Sequence, residues 1–172
     1  MKTLLFLILF LGGLKNHNLI GQDIDTETKA IERAHETVWI ARKNFRKALA
    51  SGECKMSVPK AGDKQEQIEV GRTSHKLRNQ SNKPRDWVKP ILEEYLRTPV
   101  RKQSQHKLIK LGPDHYGYAE PLYVEAVCLK CHGADLKPAL RKELSEYYPS
   151  DEATGFKLGE FRGLIWLESK RK

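Results

Sequence analysis

Two thiols and an imidazole lie within five residues at Cys128-Leu129-Lys130-Cys131-His132, and no other stretch of this 172-residue chain restricts its structure so sharply. In the pattern C-x-x-C-H the cysteines add to two vinyl groups as thioethers and the adjacent histidine is delivered to an iron. That is the attachment signature of a c-type haem.

Three other chemistries use closely spaced cysteines. A dithiol oxidoreductase places Cys-x-x-Cys at the amino end of a helix in a βαβ setting; residues 123–127 offer a candidate strand, but no parallel crossover is evident elsewhere. A structural zinc site takes four ligands, typically as two spaced pairs, and the chain has one pair. A plain disulfide across two residues is the third rival. None of them calls for a histidine directly after the second cysteine. The expected cofactor is therefore one covalent haem c per chain, held by Cys128 and Cys131 with His132 as an axial ligand. The alternative is a thiol-disulfide oxidoreductase working through Cys128 and Cys131, with Cys54 as resolving thiol.

The start of the chain speaks to compartment. Met1-Lys2-Thr3 is a short basic head, followed by eight apolar residues from Leu4 to Leu11 and then Gly12-Gly13. The run falls short of the roughly 20 residues of a spanning helix and suits a signal-peptide core of about 7 to 15. Residues 1–21 are expected to be an export signal and residues 22–172 one periplasmic domain, with no stable membrane span after cleavage. Loss of Lys2 and Lys15 takes the formal charge from +9 to +7, so the exported chain stays basic. A domain of about 150 residues buries roughly 68 to 70% of its unfolded surface and needs no disulfide framework. Basic charge favours encounter with an acidic redox partner. Export, and the lack of aromatic residues interleaved with Lys and Arg, argue against nucleic acid.

Apolar residues at Ile31, Ala34, Val38, Ala41, Phe45 and Leu49 recur at helical spacing, which predicts one long helix over residues 23–50 capped by Asp25 or Thr26, with His35 on its apolar face. Cys54 follows in a segment broken by Pro59 and Gly62. As an odd cysteine it is a free thiol, an intermolecular partner or a metal ligand. Residues 71–84 read as a polar loop whose Arg72 and Arg78 offer planar guanidinium forks suited to haem propionates. A short helix is expected over residues 91–96, strands over 105–111, 116–127 and 161–167, and helical turns within 138–148. Gly112-Pro113-Asp114 joins the first two strands as a hairpin. His75, His106 and His115 read as surface or strand histidines. A long helix followed by strands with short connections gives an α+β domain with an antiparallel sheet.

Gly71-Arg72-Thr73-Ser74 with Arg78-Asn79, then Cys128 to Gly133, then Tyr148-Pro149 with Ala153 to Gly163, resemble in this order an exported single-haem domain family long catalogued as a domain of unknown function. That family also serves as the sensing part of membrane-bound signalling proteins. The resemblance implies a PAS-like fold with helices packed around a covalent c-type haem, and an axial pair of the motif histidine and a cysteine from the amino-terminal half. His132 maps onto the first position and Cys54 onto the second, with His35 as the runner-up ligand. A thiolate there would stabilise ferric iron. The expected function is electron transfer, or sensing of redox state or a diatomic gas. No Ser-His-Asp arrangement, phosphate loop or paired carboxylates suggest an enzyme.

Overall fold

The computed structural model describes residues 16–50 and 66–171, with side chains from residue 28 onward apart from Leu49. Residues 1–15 of the expected export signal and Cys54 lie outside the described residues. Among the described residues no helix is long and apolar enough to cross a membrane.

Helix α1, Asn16–Ala50, begins seven residues before the expected start. Asp25 and Thr26 therefore sit inside it, because a capping residue permits a helix to begin without requiring it to. Its stripe is used as the spacing predicts. Ala34, Val38 and Ala41 are buried against Tyr118, Ile165 and Leu167, with Ile31 partly covered.

Those partners belong to a four-stranded, wholly antiparallel sheet in the order β1-β4-β3-β2, where β1 is Glu66–Thr73, β2 Lys107–Gly112, β3 His115–Tyr123 and β4 Phe161–Arg171. Side chains alternate between the two faces. Along β4, Ile165 and Leu167 meet α1, while Leu164 and Trp166 meet α2, Lys89–Arg97. Because β4 is central and covered on both sides, its inner half is buried almost continuously instead of alternating. Helix α2 carries Pro90 in its first turn, where the missing N–H has no intrahelical partner to lose, and packs Ile91, Leu92 and Tyr95 onto Ala119, Phe161 and Leu164.

Strand β1 departs from the sequence reading, which placed a loop over residues 71–84. It is the sheet's edge, and its alternation is carried by two apolar residues, Ile68 and Val70, among polar ones. A half-solvated edge strand of that composition gives a weak period-2 signal. The expected strand over 116–127 ends at Tyr123, where the β3–β4 register shifts. Beyond it the chain leaves the sheet through Val124, whose N–H donates to Glu160 O. The sheet with its connecting helices is an α+β, PAS-like architecture.

Gly163 marks a close approach between strands. A Cβ on it would stand 2.1 Å from Thr73 O, and its φ of 150° is one that L side chains rarely adopt. It brings the end of β1, and the segment after it, directly onto the start of β4.

Candidate functional site

The cysteine–histidine segment lies in the connection from β3 to β4. A 3₁₀ turn over Ala126–Cys128 leads into the one-turn helix α3, Leu129–His132. Cys128 and Cys131 are three residues apart on helical backbone and so share a face, and His132 is four residues from Cys128 on the same side. Both thiols are half-buried and unbridged. The turn stops at Gly133, whose N–H donates to Leu129 O at 3.0 Å; a Cβ there would come within 2.7 Å of that oxygen.

The chain then runs through α4, Pro138–Tyr147, and returns beneath the motif. Phe156 N–H donates to His132 O at 3.0 Å and Gly155 N–H to Gly133 O at 3.1 Å, stitching the returning strand of chain to the motif. Val124, Ala153 and Phe156 form a small apolar core that receives Cys128 and Leu129.

His132 is 9% exposed. Its Nδ1 lies 2.6 Å from Ala153 O, and since a carbonyl only accepts, Nδ1 carries the proton and Nε2 the lone pair. Nε2 has no partner among the described residues. Burial, reinforced by the nearby Arg162 and Arg78 cations, pushes the imidazole pKa down to about 4 against the opposing hydrogen bond to Ala153. At neutral pH it is an uncharged ring with one nitrogen held and one nitrogen basic, the state a metal-ligating histidine needs.

Arg78 joins the two halves of this arrangement. Its Nε donates to Asp151 Oδ2 at 2.9 Å and its Nη2 to Cys131 O at 2.6 Å, while Asp151 Oδ1 accepts from Ala153 N–H at 2.8 Å. Arg72 is placed elsewhere: it pairs with Ile165 across the β1–β4 ladder, its guanidinium carbon 5.0 Å from the Phe45 ring of α1.

Three groups near the motif carry no assigned role in the sequence reading. Arg162 lies over the Phe156 ring at 4.7 Å and Lys76 over it at 5.0 Å, and the Arg162 Nη1 donates to Ser74 Oγ. His75 is not a surface histidine. It stands between Phe156 and Phe161, with ring centroids 5.7 and 6.4 Å away, and its Nδ1 is buried without a hydrogen-bond partner among the described residues. Burial first, then Lys76 and Arg162, lower its pKa. The sequence signal for this region was the stretch from Ala153 to Gly163, whose residues acquire their meaning only when folded back onto the motif.

Three further histidines lie in other settings. His35 lies on the flank of α1 instead of its apolar stripe, its Nδ1 2.8 Å from Glu120 Oε1. His115 pairs with Glu168 at 2.9 Å, and His106 stacks on Tyr118. The antiparallel sheet lacks the βαβ setting that a thioredoxin-like dithiol would use.

Fold and site together define a PAS-like α+β domain that carries C-x-x-C-H on a short helix, with the histidine buried, neutral and fixed through Nδ1. The chain matches the Tll0287-like family over residues 17–168 and belongs to it. A solved structure described as that of the cyanobacterial haem protein Tll0287 is 25% identical, over 76% of this chain and 68% of that one, at a TM-score of 0.49. No curated protein matches the chain significantly.

Proposed function

We propose that this protein is a periplasmic single-haem c-type cytochrome-like carrier or sensor, with the haem joined to Cys128 and Cys131 and ligated by His132. The observation that carries the reading is the state of His132: Nδ1–H held by a buried carbonyl and Nε2 without a partner among the described residues, one residue after a thiol pair that shares a helical face. The donor set fits the group, since thioether formation needs two free thiols and axial ligation needs a neutral imidazole. The unpartnered buried Nδ1 of His75, beside the same Phe156 that meets His132 edge-on, adds a polar atom on this side of the domain.

Bound there, a haem supplies an iron that exchanges one electron between ferric and ferrous states. The protein's own residues hold the imidazole neutral and oriented, and Val124, Ala153 and Phe156 make the surroundings apolar. Cys54 would be the second residue to hold the iron, as the family resemblance implies, and with two protein ligands the group would serve electron transfer, or the reporting of redox state or of a diatomic gas. The basic chain makes an acidic protein the expected redox partner.

The test is expression in a host with c-type haem maturation, followed by a pyridine haemochrome spectrum on denatured protein. A thioether-haem band that is lost in Cys128→Ser/Cys131→Ser, together with an altered ferric spectrum in His132→Ala, is expected. Absence of covalent haem from the unaltered protein refutes the reading. Cys54→Ser is expected to remove the features of a thiolate-ligated ferric haem, and an unchanged spectrum returns His35 to consideration.

A further inference from the structure

Arg78 and Asp151 are opposite charges withdrawn from solvent, with side chains only 12% and 11% exposed. Burying such a pair carries a desolvation cost that the surrounding hydrogen bonds must offset, so what those bonds hold is informative. They form one connected path. Arg78 binds Asp151 through Nε and the Cys131 carbonyl through Nη2. The other carboxylate oxygen of Asp151 accepts the Ala153 N–H, and the Ala153 carbonyl accepts the Nδ1–H of His132. The path begins on the motif helix at Cys131 and ends on its neighbour His132, passing through a single ion pair.

We propose that the Arg78–Asp151 pair is the positioning unit for His132, fixing the Ala153 carbonyl against Nδ1–H and thereby the ring's orientation and its strength as a donor. The inference rests on His132 being an iron ligand. Each element of the path restrains another: Asp151 pins the Ala153 amide, so the next carbonyl in the chain points at the imidazole, and Arg78 prevents the motif helix from moving away from that carbonyl. A histidine whose Nδ1–H is held by a well-placed acceptor is a stronger donor through Nε2. A stronger donor favours ferric iron and a lower potential. Arg78 and Asp151 reach the His132 ring through Ala153, not by direct contact, so they are positioning residues.

The variants are Arg78→Lys and Asp151→Asn. Lysine keeps the positive charge but cannot span Asp151 and the Cys131 carbonyl with a planar fork. Asparagine keeps an oxygen for the Ala153 N–H but removes the charge that binds Arg78. Both are prepared as holoprotein, checked for covalent haem, and compared with the unaltered chain in midpoint potential and in the solvent exchange of the His132 Nδ1–H, read from its hyperfine-shifted proton resonance in the ferric state.

Arg78→Lys is expected to raise the potential at unchanged net charge and to speed Nδ1–H exchange by about tenfold, the factor that corresponds to about 1.4 kcal/mol. Asp151→Asn is expected to speed it in the same direction. Exchange and potential unchanged in both variants, with haem attached and His132 bound, overturns the proposal and leaves the function intact. If Arg78→Lys does not fold, Asp151→Asn decides alone. Should the unaltered protein carry no haem, the functional reading fails separately, and exchange of the Nδ1–H in the haem-free chain, read from its diamagnetic imidazole N–H resonance in a nitrogen-15-labelled sample, still reports whether the pair holds the ring.

Discussion

Replacement of Glu120 by alanine should weaken the attachment of α1 to the sheet by a calculable amount. The Glu120 carboxylate is 9% exposed; it accepts hydrogen bonds from Tyr118 Oη at 2.6 Å and from His35 Nδ1 at 2.8 Å, and forms an ion pair with Arg42, whose Nη2 lies 2.9 Å away. Arg42 also donates to Pro121 O at 2.7 Å, and its Nε is buried with no partner. Truncating Glu120 therefore strands a guanidinium at the helix–sheet interface with one remaining acceptor. Because Arg42 is 29% exposed, breaking this pair costs about 3 kcal/mol, the lower end of the range for a fully buried one. The His35 part of this is small, since that ring is 62% exposed. For a domain of this size each kcal/mol moves the melting temperature by roughly 2 to 4 °C, so a fall of roughly 10 °C is expected. Urea unfolding followed by circular dichroism measures the free energy directly, and the Glu120→Ala/Arg42→Ala double variant should lose less than the two single variants together, because it leaves no stranded charge. A loss below about 1 kcal/mol in Glu120→Ala would show that water replaces the carboxylate and that the network does not hold the helix.

Two further outcomes follow from the same structure. Gly163→Ala places a methyl group 2.1 Å from Thr73 O at a backbone angle alanine avoids, and should cost about 3 kcal/mol or more by chemical denaturation; an unchanged midpoint would mean that β1 shifts without penalty. His75 has a folded pKa below its unfolded value of about 6.5, so the folded state binds this proton less readily than the unfolded one. Its stabilising contribution is complete above that pH and is lost as pH falls through the folded pKa. His75→Phe, which keeps the ring between Phe156 and Phe161, should flatten the pH dependence of the melting temperature over that acid window, and an identical slope in the variant would rule the contribution out.

Strong periodicity and close sequence spacing were readable directly. The stripe from Ile31 through Ala41 announces an amphipathic helix whatever it packs on, because its period is a local property. The placement of the C-x-x-C-H residues was equally legible, since helical spacing alone puts Cys128, Cys131 and His132 on one side. Strand β1 was not legible, because at a sheet edge only Ile68 and Val70 carry the pattern. His75 also escaped notice: a histidine in a polar stretch looks solvated until Phe156 and Phe161, more than 80 positions later, close around it.

The roles of the two arginines mark the boundary most clearly. Sequence by itself established that Arg72 and Arg78 flank a turn and carry forks that fit carboxylates. It named haem propionates as their expected partners but could not name the partners within the chain, because a fork's geometry is a property of the side chain while its partner is a property of the fold. Tertiary structure sends Arg72 toward Phe45 of α1 and gives Arg78 to Asp151, 73 residues away in the chain. In the same way C-x-x-C-H placed His132 beside two thiols, and only the return of the chain beneath it decided that Ala153 holds Nδ1 and leaves Nε2 without a partner among the described residues.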